Sequence, residues 1–143
     1  MDIRDSKEYN EYKKFRINLS HIKHYDDVTL KRNLLITELW LDKKQNIQEI
    51  TLEDIGKQFC VTRERIREIY VKYMTEFILY LYYKMGYALN DDIFIISMNT
   101  LSDAHKQDIM NFIKQGTVRK SSNCFVSSKY VKLLNEMKEM KVV

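Results

Sequence analysis

The stretch TLEDIGKQFCVTRERIREIYVK, residues 51–72, decides the fold of this chain. Thr51, with Asp54 three residues later, resembles a capping box, which predicts that a helix begins at this point. Apolar residues then recur at the three- and four-residue spacing of one helix face, in Leu52, Ile55 and Phe59. The first half of the stretch therefore predicts a short amphipathic helix.

A second helix is predicted after a break at Cys60 and Val61, with Thr62 as its N-cap. Its apolar stripe consists of Ile66, Ile69 and Tyr73. Gly56 falls inside the first helix, where glycine costs about 1 kcal/mol relative to alanine, so we expect another helix to pack closely against it. Two helices separated by so short a break have the spacing of a helix-turn-helix.

The composition extends this prediction to the whole chain. The 143 residues include no proline and only three glycines, which favours long helices and short turns. We expect an all-α fold of about six helices, read from the apolar periodicity. The expected segments are an N-terminal helical extension (1–27), a helix-turn-helix domain with an extended last helix (28–87) and a small C-terminal helical part (88–143).

Outside residues 51–72 the predicted elements are less sharply bounded. A helix is expected over about residues 6–24, and a second helix, capped by Thr29, that carries Leu34, Leu35, Leu39 and Trp40. Leu39 and Trp40 are expected in the core, with a contact to a protein partner as the alternative. Residues 41–50 have the composition of a loop.

The chain after residue 72 is predicted to continue helically to Gly86 and to become apolar on all sides. The run from Phe77 to Tyr83 is expected in the core or, as the alternative, in a partner interface. Residues 92–97, DIFIIS, fit a strand or a helix equally well. A helix capped by Ser102 and ended by Gly116, a loop over 117–125 and a last helix over 126–141 complete the prediction.

Charge and side-chain chemistry exclude several function classes. The net charge of +4 and the pI of about 8.9 permit a polyanionic partner without demanding one. Cys60, Cys124 and the three histidines have no metal-ligand spacing, and catalytic motifs are lacking, so neither a metal, a cofactor nor an enzyme is expected. The longest apolar run is shorter than the roughly 20 residues of a membrane span, and no signal peptide is visible. The cytoplasm is the expected compartment, with no membrane partner.

Residues 51–72 resemble region 4 of the primary type of bacterial RNA polymerase sigma factors, whose pattern is close to T-L-E-E-I-G-x-x-F-x-V-T-R-E-R-I-R-Q-I-E. All but three or four positions of that pattern match, and a looser similarity extends over roughly residues 28–75. The resemblance implies a helix that lies in the major groove of the promoter −35 element. It also implies docking on the β flap of core RNA polymerase.

The resemblance assigns a DNA-binding role to each residue that it matches at the start of the second helix. Arg63, Glu64, Arg67 and Glu68 would face base edges and nearby phosphates, whereas Arg65 and Lys72 would serve the DNA backbone or the helix surface. Independently, arginine can bind guanine and glutamate can accept from cytosine in the major groove. Thr62 and the helix N-terminus can hold a phosphate. The alternative for these charges is a solvated helix face.

Two of the departures from the family pattern lie in the second helix. Glu68 stands where the family has glutamine, and Tyr70 stands where it has glutamate. Glutamine can pair with adenine and glutamate cannot donate to adenine N7. We therefore expect a changed −35 preference.

The sequence predicts a sigma-like transcription factor that binds promoter DNA and contacts RNA polymerase. The residues before the match are too few for the promoter-melting region, so half of a split sigma factor or a phage- or plasmid-type regulator is expected. One alternative is a polymerase-independent repressor or activator, dimeric through Phe77–Tyr87. The other is a protein-only anti-sigma or polymerase-appropriating module.

Overall fold

The chain is all-α throughout the residues that the computed structural model describes, which are 2–23, 26–46, 50–115, 134, 135 and 137. This confirms the predicted fold class. The helices are α1 (Lys7–Lys23), α2 (Asp27–Gln45), α3 (Leu52–Phe59), α4 (Arg63–Leu79), α5 (Asp92–Met98) and α6 (Asp103–Gln115). A 3-10 turn, Ile3–Asp5, precedes α1, and a π-helical turn, Tyr80–Lys84, continues α4.

The chain forms two compact units, Met1–Met74 and Thr75–Val143, and the division falls within α4. The sequence had suggested three segments, with boundaries after residues 27 and 87. Residues 2–23 belong to the first unit, in which α1 packs against α2.

The first unit is built around apolar side chains from all four of its helices. The largest of those that are fully buried are Tyr9, Tyr12, Leu19, Ile36, Leu41, Ile55, Ile66 and Tyr70. Polar contacts join its N-terminal part to α2, since the Lys13 ammonium lies 3.1 Å from the Glu38 carboxylate and Arg4 lies 2.9 Å from Asp42. These contacts fix α2 within the unit that also holds α3 and the start of α4.

Both predicted ends of α2 were wrong. The N-cap is Asp26, whose carboxylate accepts from the Val28 and Thr29 backbone N–H groups, so Thr29 lies inside the first turn and its hydroxyl donates to Asp26. Asparagine, aspartate, serine and threonine are all effective caps, so local sequence did not choose between two neighbouring candidates. The helix also runs on to Gln45, through residues expected to form a loop.

The expected burial of Leu39 and Trp40 was also wrong, because both are partly exposed. Leu34 is buried, whereas Leu35 is 47% exposed and Val28 is 79% exposed. Apolar residues occupy more than one face of α2, and the first unit covers only one of those faces.

The second unit buries the aromatic run that follows residue 75. Residues 75–81 are all buried, which supports the core interpretation of this run. The Tyr82 ring centroid lies 6.5 Å from that of Phe94 on α5, and the Tyr83 centroid lies 6.3 Å from that of Phe112 on α6. Residues 92–97 are helical, which resolves the strand-or-helix ambiguity.

Ser102 caps α6 as predicted, since its hydroxyl accepts from the His105 backbone N–H at 3.4 Å. Leu134 and Met137 are buried, and the Met137 carbonyl accepts from the Lys84 ammonium at 2.7 Å. The predicted helix end at Gly116, the loop over 117–125 and most of the last helix lie outside the described residues.

None of the helices in the described ranges combines the length and the apolar character needed to cross a bilayer.

Candidate nucleic-acid interface

Helix α3 begins with the capping box that the sequence predicted. The Thr51 hydroxyl accepts from the Asp54 backbone N–H at 3.1 Å, and the Asp54 carboxylate accepts from the Thr51 backbone N–H at 2.9 Å. Hydrogen bonds from Thr51 hold the pKa of the Asp54 carboxyl below its ordinary value. Leu52 and Ile55 are buried as expected, and Phe59 is partly exposed. The start of α3 is therefore fixed by residues within one helical turn.

The turn between α3 and α4 depends on a left-handed residue and a close backbone approach. Cys60 has φ 57° and ψ 45°, and the Val61 N–H donates to the Gly56 carbonyl at 2.9 Å, as in a Schellman motif. A Cβ added at Gly56 would lie 2.5 Å from the Val61 carbonyl oxygen. We expected another helix to require this glycine; the turn itself requires it.

Helix α4 begins directly after this turn. The Thr62 hydroxyl accepts from the Arg65 backbone N–H at 3.1 Å, which confirms Thr62 as the N-cap. The buried stripe of the helix consists of Ile66, Ile69, Tyr70 and Tyr73. Because successive residues advance by about 100° around a helix, the opposite face is centred on Glu64 and Glu68, and Arg67 lies toward one edge of it. The first three turns of α4 thus present charged side chains to solvent.

All seven residues predicted to bind DNA are exposed. They are Thr62, Arg63, Glu64, Arg65, Arg67, Glu68 and Lys72. The structure places them on the N-terminal turns of one helix.

The predicted DNA-binding side chains differ in their contacts. Arg63 pairs with Glu53 of α3 at 3.2 Å, and Arg65 pairs with Glu68 at 3.2 Å. Exposed pairs of this kind contribute about 0–1 kcal/mol, so either arginine can exchange its carboxylate for a phosphate at little cost. Arg67 makes no ion pair or hydrogen bond within the described part of the chain.

The surface formed by α3 and the start of α4 is nearly balanced in charge. Its exposed basic residues are Lys57, Arg63, Arg65, Arg67 and Lys72, and its exposed acidic residues are Glu53, Asp54, Glu64 and Glu68. Non-specific attraction to a polyanion grows with the number of basic contacts. This surface by itself therefore attracts a phosphate backbone weakly, and an arrangement of donors and acceptors suited to base edges is its more distinctive property.

A basic cluster at the end of α2 was missed by sequence reasoning. The Lys43 and Lys44 ammonium groups lie 6.0 Å and 5.9 Å from the centroid of the Trp40 ring, and Lys44 also lies 5.4 Å from the ring of Tyr70 on α4. Lys43 and Lys44 follow Trp40 by three and four residues, a spacing that on a helix brings both lysines beside the ring. Assigning these residues to a loop concealed that spacing.

No group of three or more histidine, cysteine, aspartate or glutamate side chains in the described ranges is arranged to hold a metal ion. Cys60 is exposed at the turn and has a free thiol. Cys124 and His24 lie outside the described residues.

The chain was compared with protein-family models, with curated proteins and with solved structures, and none of the three comparisons found a match.

Proposed function

We propose that this protein is a sigma-like transcription factor that binds the −35-like element of a promoter through the first turns of α4 and contacts RNA polymerase. The observation that carries the proposal is the pattern of residues 51–72. In the structure Leu52, Ile55, Ile66 and Ile69 of this stretch are buried, and its charged positions face outward, several of them from the N-terminus of one capped helix. A recognition helix meets base edges with its N-terminal residues.

The proposal assigns the base-reading role first to Arg67, with Glu64 and Glu68 beside it. Arg67 is exposed beside Glu64 and Glu68 and has no protein partner among the described residues. Arg63, Arg65 and Lys72 supply phosphate contacts, since the arginine pairs are exposed and exchange readily. We propose that the protein acts as half of a split sigma factor or as a phage- or plasmid-type regulator.

The polymerase contact rests on the resemblance to sigma region 4, and two exposed apolar side chains of α2 are available for it. Val28 and Leu35 lie seven residues apart, on the same side of the helix, and both side chains are exposed. Exposed apolar side chains of this kind can take part in a protein contact. The same observation is the one that favours the alternative, a protein-only module that engages polymerase and not DNA.

The test is selection of bound duplexes from a randomised double-stranded library, followed by affinity measurement on the selected site. Arg67→Ala should weaken binding to that site by about 1–3 kcal/mol, the typical value of one specific base contact. Arg32→Ala is the matched control, because Arg32 lies on α2 and bonds to Asn33. Loss of the same charge there should leave the base preference intact.

Co-elution with core RNA polymerase separates the two candidates. A sigma-like factor co-elutes and selects a defined duplex, and Arg67→Ala removes only the second property. A protein-only module co-elutes but enriches no sequence. A chain that neither enriches a duplex nor co-elutes would overturn the proposal.

A further inference from the structure

The tryptophan–lysine cluster, which consists of Trp40, Lys43 and Lys44, is held in place by aromatic contacts. Both ammonium groups lie within 6.0 Å of the Trp40 ring centroid, and Lys44 bridges to the Tyr70 ring of α4 at 5.4 Å. Cation–π contacts at such distances restrict long side chains that would otherwise sample many rotamers. The cluster is therefore a preorganised pair of positive charges beside α4.

The position of Tyr70 tells which edge of α4 the cluster adjoins. Tyr70 follows Arg67 by three residues and Arg63 by seven, and residues at these spacings lie on the same side of a helix. Along the helix axis Tyr70 is about 10 Å beyond Arg63, at 1.5 Å per residue. Lys44 therefore adjoins the Arg63–Arg67 edge of the exposed face, at its C-terminal end.

The electrostatic surroundings of the cluster favour an anion. Burial lowers the pKa of the Lys44 ammonium, because a partly desolvated cation has lost favourable hydration. An anion beside such a group interacts more strongly than it would with a fully hydrated lysine, since the local dielectric constant is lower. Of the acidic side chains of α3, Glu53 pairs with Arg63, and Asp54, which belongs to the Thr51 cap, also interacts electrostatically with Lys43.

We propose that the tryptophan–lysine cluster is a second contact of this protein with duplex DNA, in which Lys43 and Lys44 bind backbone phosphates beside the major groove that α4 enters. The inference rests on the proposed DNA-binding function and adds residues that the family pattern does not include. In helix-turn-helix complexes the recognition helix lies in the groove and neighbouring helices reach the backbone. The cluster provides the positive charge that the nearly balanced surface of α3 and α4 lacks.

The experiment measures the salt dependence of affinity for a duplex of mixed sequence. Lys44→Gln should reduce the slope of log K against log salt by about 0.9, and the double change Lys43→Gln, Lys44→Gln by about twice that value. Lys44→Arg keeps the charge and should retain the slope. Circular dichroism of each variant establishes that it is folded.

Lys31→Gln is the matched control. Lys31 lies on the same helix, about 20 Å along its axis from Lys44, and its ammonium is 3.3 Å from the Asp27 carboxylate. The control loses the same unit of charge and should leave the slope close to that of the unmodified protein.

A second readout follows from composition. Trp40 is the only tryptophan of the chain, so its fluorescence reports on the cluster alone. Addition of the duplex should change Trp40 emission in the unmodified protein, as the lysines turn from the ring toward phosphates. The change should be absent in the double glutamine variant.

The outcomes distinguish this inference from the proposed function. If Arg67→Ala weakens binding and neither the slope nor Trp40 emission depends on Lys43 and Lys44, the second contact is overturned and α4 still reads DNA. If Lys31→Gln lowers the slope as much as Lys44→Gln does, the slope reflects the total charge of the protein, and the proposed contact is overturned. If the unmodified protein does not bind duplex DNA even at low salt, both proposals are overturned together.

Discussion

The two halves of helix α4 differ in how far their side chains are buried. From Arg63 to Lys72 the helix alternates buried apolar residues with exposed charges. Residues 75–81, which end α4 and begin the π-helical turn, are all buried. A helix that is covered on all sides serves as core. An amphipathic helix that keeps one face in solvent can offer that face to a ligand. The difference assigns a structural role to the second half of α4 and the candidate site to the first.

The largest expected effect is in the buried half. Phe77→Ala removes a side chain with no solvent exposure and should destabilise the unit Thr75–Val143 by about 3–5 kcal/mol. The measurement is the free energy of urea unfolding. Ile95→Ala is the control in the same unit, since this side chain is 42% exposed and should cost much less. A small effect of Phe77→Ala would contradict the core assignment.

The next effect tests the turn that orients the exposed half. Alanine is usually better than glycine in a helix, by about 1 kcal/mol, yet Gly56→Ala should destabilise the first unit. The added Cβ would lie 2.5 Å from the Val61 carbonyl oxygen, and overpacking of this kind typically costs about 1–3 kcal/mol.

Gln58→Ala on the exposed side of the same helix is the matched control for Gly56→Ala, and it should change the unfolding free energy by less than about 0.5 kcal/mol. Stabilisation by Gly56→Ala would show that the turn does not need a glycine.

A smaller effect is expected at the cap of α3. Thr51→Ala should cost about 1 kcal/mol of unfolding free energy, and Thr51→Ser, which keeps the accepting oxygen, should cost less.

The same cap predicts a pH dependence. Because the Asp54 pKa is lowered in the folded state, its contribution to stability is complete above the unfolded pKa and is lost as the pH falls through the folded pKa. The unfolding free energies of the unmodified protein and Asp54→Ala should therefore differ at neutral pH and converge in acid, below about pH 3.9. A difference that stayed constant down to the lowest pH would argue against the cap.

The smallest effect on stability, and the sharpest test of the exposed half, is Glu68→Gln. It removes the carboxylate that pairs with Arg65 at 3.2 Å, an exposed contact contributing at most about 1 kcal/mol. Base preference should nevertheless shift at one position, because glutamine can pair with adenine and glutamate can accept from cytosine. Selection from a duplex library measures this, with Asp103→Asn as a control of equal charge outside α4. Unchanged preference would remove Glu68 from the base-reading set.

The sequence by itself determined those features whose causes lie within a few residues along the chain. The capping box of Thr51 and Asp54, the Thr62 cap and the inward stripe through Ile66, Ile69 and Tyr73 all form as predicted. Each depends on hydrogen bonds or helical periodicity over one or two turns, which short-range sequence specifies. The exposed positions of the seven predicted DNA-binding residues follow from the same periodicity.

The tertiary structure decided what periodicity leaves ambiguous. A short apolar run such as residues 92–97 satisfies either a strand or a helix, and only packing in the second unit makes it α5. Apolar residues on α2 exceed what one face can bury, so packing within the first unit determines that Leu34 is covered and Leu35 is not. Likewise, Lys44 meets Tyr70 across 26 positions of sequence, a proximity that depends on how α2 and α4 pack and that no local pattern encodes.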